Sequence, residues 1–278
     1  MNRLVLPTVH ASRSAQLVLF EHEFENLNAF YWTHQAATAL MYQQAAGHER
    51  VSDFIPADQA QRLNISRDEM TAMAPRVQQT VRYSMLIQVV TYYEVYLADF
   101  LFELVKSLWP LKNQISVKIR PTDLPAANLD LYLQRVTIES LIKSIIDENY
   151  SIREKRINKL LTENNFEPPA DSPGRTSLVV AACEIRNCIV HAGGIVDDRA
   201  LNALNSLIPG LRIGDLLKLE ESLMWQLLGA IRDSARALDY VVRKPRAAKI
   251  ARKAAKKQRY NARRKARNLE LKKIFGKG

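Results

Sequence analysis

Only two cysteines occur in the chain, Cys183 and Cys188. On a helix, a spacing of five turns two side chains about 140° apart, so the pair cannot bridge within it. Neither a disulfide framework nor a zinc-ligand spacing can be built from them. Such cysteine usage suits a reducing compartment, and the expected location is cytoplasmic. Long hydrophobic runs are missing too. Leu17–Phe20 is a short apolar run followed by Glu-His-Glu, so no signal peptide is expected, and no stretch is expected to approach the length of a membrane span. Glycine is scarce, at 9 residues. No Walker loop, dinucleotide fingerprint, serine nucleophile elbow or internal repeat is found. Histidine is rarer still, and after His48 it recurs only at His191. His22, His34 and His48 are too far apart along one helix to share an ion, so no metal or cofactor is expected.

What the chain does have is helical periodicity. Hydrophobic residues make up 47% of the 278 residues, enough for a sizeable core. Residues 12–47 read as one long helix, with Phe20, Phe24, Leu27, Phe30 and Tyr31 near its inner stripe. Ser66-Arg67-Asp68-Glu69 has the form of a capping box opening another helix, which Pro75 is expected to kink or restart. Residues 78–109 form the longest clear helix, with Val90, Glu94, Leu97, Leu101 and Leu108 on one stripe. A carboxylate in such a stripe is costly unless paired. Glu94 therefore either pairs with Arg186 or His191, or lies at the edge of the stripe and meets solvent. Residues 115–119 alternate like a short strand. Helices follow over 129–149, with Leu133, Val136, Ser140 and Leu141 on one face, and over 151–164. A Pro-rich loop then leads to residue 177. A final helix over 220–242 turns Leu223, Leu227, Ile231 and Leu238 inward. The expected class is all-α.

The stretch 184–194 reads Glu-Ile-Arg-Asn-Cys-Ile-Val-His-Ala-Gly-Gly. Residues 177–191 contain neither Gly nor Pro, and Leu178, Ala182, Ile185 and Ile189 form an apolar stripe. Gly193 and Gly194 suit the left-handed cap that ends a helix. Glu184, Asn187 and His191 fall on the opposite face, with Arg186 on the flank. A histidine at a helix C-terminus is favoured in any case, since a cation suits the terminal carbonyls. Spacing alone leaves both a structural cap and a functional site open.

Arg186-Asn187-Cys188-Ile189-Val190-His191 resembles the R-x4–6-H motif of the HEPN superfamily. The polar residue after the Arg, the helix end just past the His and the long upstream helix carrying Tyr92-Tyr93-Glu94-Val95-Tyr96-Leu97 fit that resemblance. It covers about residues 80–243, and its sharp part is this one motif. The resemblance implies a HEPN-like helical bundle, often a homodimer, and a metal-independent endoribonuclease of toxin–antitoxin, phage-defence or RNA-processing type. Some members have lost the chemistry and only bind. Arg186, Asn187 and His191 would be catalytic, with Glu94 and Glu184 in support. The implied reaction is attack of a 2′-OH on the adjacent phosphorus, giving a 2′,3′-cyclic phosphate and a 5′-OH. Histidine titrates near neutrality and can move either proton. Arginine can hold the phosphate and its developing charge. One imidazole does not easily serve both protons, so the site is expected to be completed by a second copy. The partners expected are RNA, a second copy and an antitoxin or other regulatory protein, with no membrane.

Acidic residues are almost absent from the end of the chain. Residues 243–278 hold 16 Lys or Arg against one acid, Glu270, leaving 24 basic and 28 acidic residues elsewhere. Lys249, Arg252, Lys253, Lys256, Lys257, Arg259, Arg263, Arg264 and Arg267 alternate with alanine, and Tyr260 and Phe275 could stack on bases. Like charges at helical spacing repel, so this tail is expected to be disordered alone and helical against RNA, where neutralised phosphates release counterions. A solubilising tail is the plainer alternative. The expected organisation is an N-terminal helical extension (1–78), a HEPN-like domain (79–244) and a basic tail (245–278). The rival function is a non-cleaving RNA-binding or scaffold protein.

Overall fold

The computed structural model describes residues 13–110, 128–170 and 174–243. Among these residues the chain is helical apart from connections and two isolated β-bridges, so the all-α class holds. The basic tail, including every RNA-binding candidate from Lys249 to Arg267, lies outside the described residues. So do the strand expected at 115–119 and the chain before residue 13.

Helix α1 (Ala15–Ala45) starts where the Ser14 side chain accepts from the Leu17 N–H at 3.0 Å. It buries Leu17, Phe20, Phe24, Leu27 and Tyr31, at steps of three or four that keep them on one stripe. Phe30, expected inside, is 53% exposed because the next position, Tyr31, takes the inward place. After a 3-10 turn (Val51–Asp53) and the short α2 (Ala57–Ala60), α3 (Arg67–Ser107) begins at the expected capping box. The Glu69 N–H donates to Ser66 Oγ at 3.2 Å, and the Ser66 N–H donates to Glu69 Oε2 at 2.7 Å.

Helix α3 is continuous through Pro75 rather than restarting there. Proline removes one backbone bond, but both flanks are packed. Met70 sits in a small cluster with Ala45 and Val51, while Met85 onward enters the main core. The boundary expected at residue 78 therefore falls inside one helix, and α1 shares the core of the later helices. Phe20 lies 6.0 Å from Tyr93 and 5.7 Å from Tyr96, whereas Tyr42 Oη donates to the Met70 carbonyl. α1 and α3 thus run antiparallel. α3 also corrects the expectation that no stretch approaches the length of a membrane span. It is long and apolar enough by length and composition, though half of that window is buried within the bundle.

Helices α4 (Leu129–Ile146) and α5 (Tyr150–Glu163) follow, α5 capped by Asn149. α4 buries Ile138, Ile142 and Ile145, not the face of Leu133, Val136, Ser140 and Leu141, which are half-buried. Apolar residues surround this helix, so its periodicity does not select a side, and packing against α3 does. Helix α6 (Arg175–Ala192) carries the motif, and α7 (Asp198–Leu204) is capped by Asp197. Among the described residues, 221–243 form one further helix, α8. Its Leu227, Ile231 and Leu238 are buried and Leu223 is half-buried. Ion pairs Glu21–Arg236 (2.6 Å) and Glu25–Arg232 (3.1 Å) join α1 to α8.

Candidate functional site

Helix α6 ends as its glycines dictate. Gly193 and Gly194 have φ of +60° and +86°, and the Gly194 N–H donates to the Cys188 carbonyl at 3.0 Å. A Cβ at Gly194 would stand 3.2 Å from Tyr83 Oη. Tyr83 itself donates to the Leu217 carbonyl, and Ile195 bridges to Leu216. The helix end is therefore pinned to α3 and to the loop that enters α8.

His191 occupies the last turn of α6 and is exposed. Exposed apolar residues lie close to it along the chain or across the bridge: Val190 (48%), Ile195 (44%) and Leu216 (57%). Arg186 points elsewhere. Five helical residues separate it from His191 by roughly 7.5 Å of rise and about 140° of rotation. The Arg186 side chain, 25% exposed, lines a cleft of about 240 Å³ bounded by α3, α5, α6, α7 and the α4–α5 turn. It donates to Asn187 Oδ1 at 3.0 Å and lies 3.7 Å from Glu94 Oε2. One chain thus brings together Arg186, Asn187 and Glu94, and leaves His191 outside the cleft.

Glu94 takes the pairing expected of a carboxylate in an apolar stripe, and keeps 27% of its side chain open. Its partners are Arg186 and a residue that the sequence did not single out, Arg153, at 3.3 Å. A signal for Arg153 was present. Tyr150, Arg153, Ile157 and Leu161 fall at one-face spacing, and all four are buried. Glu184 corrects a second expectation. It is not on an open face with Asn187 and His191 but is 7% exposed, because α7 covers it. Arg199 of α7 holds it with two contacts of 2.7 Å. A buried carboxylate needs such a partner.

Cys183 also borders the cleft. Burial, and then the nearby Glu94 charge, push its thiol far above the usual range. Cys188 is raised mainly by burial and gives its S–H to the Ile195 carbonyl. Neither thiol is poised as a nucleophile. His22 and His48 are exposed and His34 is half-buried beside Phe30. Among the described residues no group of three or more His, Cys, Asp or Glu could hold a metal ion.

Comparisons with family models, curated proteins and solved structures give no match.

Proposed function

We propose that the protein is a homodimeric HEPN-type endoribonuclease that cleaves RNA without a metal, leaving 2′,3′-cyclic phosphate and 5′-OH ends. The observation that carries this reading is the division of the motif. Arg186 and Asn187 face a cleft while His191 stands free at the helix end, one turn beyond Asn187. Two copies packed about a twofold axis beside this end of α6 would set two imidazoles over one phosphate at the mouth of the cleft. Arg186 would bind that phosphate, Asn187 would orient Arg186, and the two His191 rings would take and give the protons. Residues 245–278 would hold the RNA strand by charge. The role best suited to such an activity is a toxin or anti-phage effector restrained by a partner protein.

The test is cleavage of purified transfer and messenger RNA in EDTA. Wild type should cut, and Arg186→Ala and His191→Ala should each lose about 100-fold or more, as expected when a proton-transfer or charge-stabilising group is removed. Expression of wild type, but not of His191→Ala, should arrest growth. Cleavage that disappears on chelation, or that survives both substitutions, contradicts the proposal.

One observation favours the rival reading, a non-cleaving RNA-binding or scaffold protein. Arg186 is already engaged by a carboxylate, lying 3.7 Å from Glu94 Oε2. Deleting residues 245–278 separates the two. A nuclease keeps measurable cleavage with weaker, less salt-sensitive binding, and a tail-driven binder loses its only property.

A further inference from the structure

We propose that Arg153 is a positioning residue for Arg186, acting through Glu94, which the two arginines share; this deepens the functional reading above and rests on it. The Glu94 carboxylate spans the gap between them, Oε1 lying 3.3 Å from Arg153 and Oε2 lying 3.7 Å from Arg186. The two cations are not equivalent. Arg153 is fixed, with only 8% of its side chain exposed. It donates to the carbonyls of Ile146 and Glu148, where α4 ends, and its guanidinium lies 4.9 Å over the Tyr150 ring. A cation at a helix C-terminus and over an aromatic face is doubly favoured there. Arg186 is more open and has one neutral partner, Asn187.

One carboxylate cannot neutralise two guanidiniums. The trio keeps a net positive charge, and the exposed member carries it toward the cleft. Arg153 holds the nearer oxygen, so Glu94 orients Arg186 without closing on it. Remove Arg153, and Glu94 is free to form a full pair with Arg186, which then offers less charge and fewer N–H groups to a phosphate. The nearby Glu184–Arg199 pair is closed on itself and supplies no substitute.

The test is the affinity of the full-length protein for a short single-stranded 2′-O-methyl RNA, which lacks the attacking hydroxyl and stays intact. Arg186→Ala sets the floor. Arg153→Met should weaken binding by roughly fivefold, the scale of a partly exposed ion pair. Glu94→Gln should tighten it, and the double variant Arg153→Met/Glu94→Gln should return to at least wild-type affinity. A structural role for Arg153 predicts the opposite, a double variant no better than the single one. Thermal melts identify variants that fold. If Arg153→Met does not, Glu94→Gln against wild type decides, since the proposal requires it to bind more tightly. Unchanged binding in folded Arg153→Met, or looser binding in Glu94→Gln, overturns the inference while Arg186→Ala remains weak. Wild-type binding by Arg186→Ala overturns the inference, and if that variant also still cleaves unmodified RNA in EDTA, the functional reading falls with it.

Discussion

Three tyrosines at the centre of the bundle respond to pH in a defined direction. Tyr93 is fully buried beside Ser234, 2.7 Å from its hydroxyl, and burial raises its phenol to about 12. Tyr96 and Tyr150 are raised well above the usual value of 10, also mainly by burial. Below pH 10 folded and unfolded chains both keep these protons, so no stability is lost. Between pH 10 and about 12 the unfolded chain releases them and the folded chain does not. Stability therefore falls as pH rises through that window, by up to about 1.4 kcal/mol per pH unit for each tyrosine. Phenolate absorbance from these rings should appear together with the loss of helical circular dichroism. Phenolate forming at Tyr93, Tyr96 or Tyr150 in a still fully helical protein contradicts the packing described. At this scale the charged residues of the cleft were partly legible. Glu94 stood out because it interrupts an apolar stripe, and Arg153 carries the same signal on α5. Arg199 carries none, since it is an exposed residue of a short helix whose partner is remote in sequence.

Elements were legible where local chemistry fixes them. Ser66 and Glu69 announce α3, Gly193 and Gly194 close α6, and α1, α5 and α8 follow their apolar spacing to within a few residues. The side that α4 buries was not legible, because apolar residues lie on several of its faces. The continuity of α3 through Pro75 was hidden for a related reason, since tertiary packing on both flanks overrides a local penalty. The C-cap of α6 offers a direct check. Gly194→Ala places a methyl group 3.2 Å from Tyr83 Oη at a φ of +86°, a conformation that costs an L-residue about 1–2 kcal/mol. The melting temperature should drop by about 2–8 °C, on the scaling for a chain of this size. Gly193→Ala, which meets nothing within 4 Å, should drop less. Equal melting of Gly194→Ala and wild type contradicts the pinned helix end.

At the scale of the whole molecule, one long α-hairpin of α1 and α3 is closed by α8 on one side and by α4 to α7 on the others. The motif helix runs antiparallel to α3, with Arg186 level with Glu94 and Gly194 level with Tyr83. This register leaves His191 at the free end of α6, level with the middle of α3, and carries Arg186 into the side of the bundle. Sequence spacing put Arg186 on the flank of the face that carries His191 but did not announce their separation into two sites, because which side becomes a cleft depends on α5 and α7. The functional proposal turns on two chains meeting at that end. Wild type and His191→Ala, co-expressed or exchanged at fixed total protein, test it most directly through cleavage of RNA in EDTA. A cleft needing both imidazoles predicts activity that follows the square of the wild-type fraction, about one quarter in an equal mixture that pairs at random. Activity falling only in proportion, to one half, would mean that each chain works alone and would contradict the composite site.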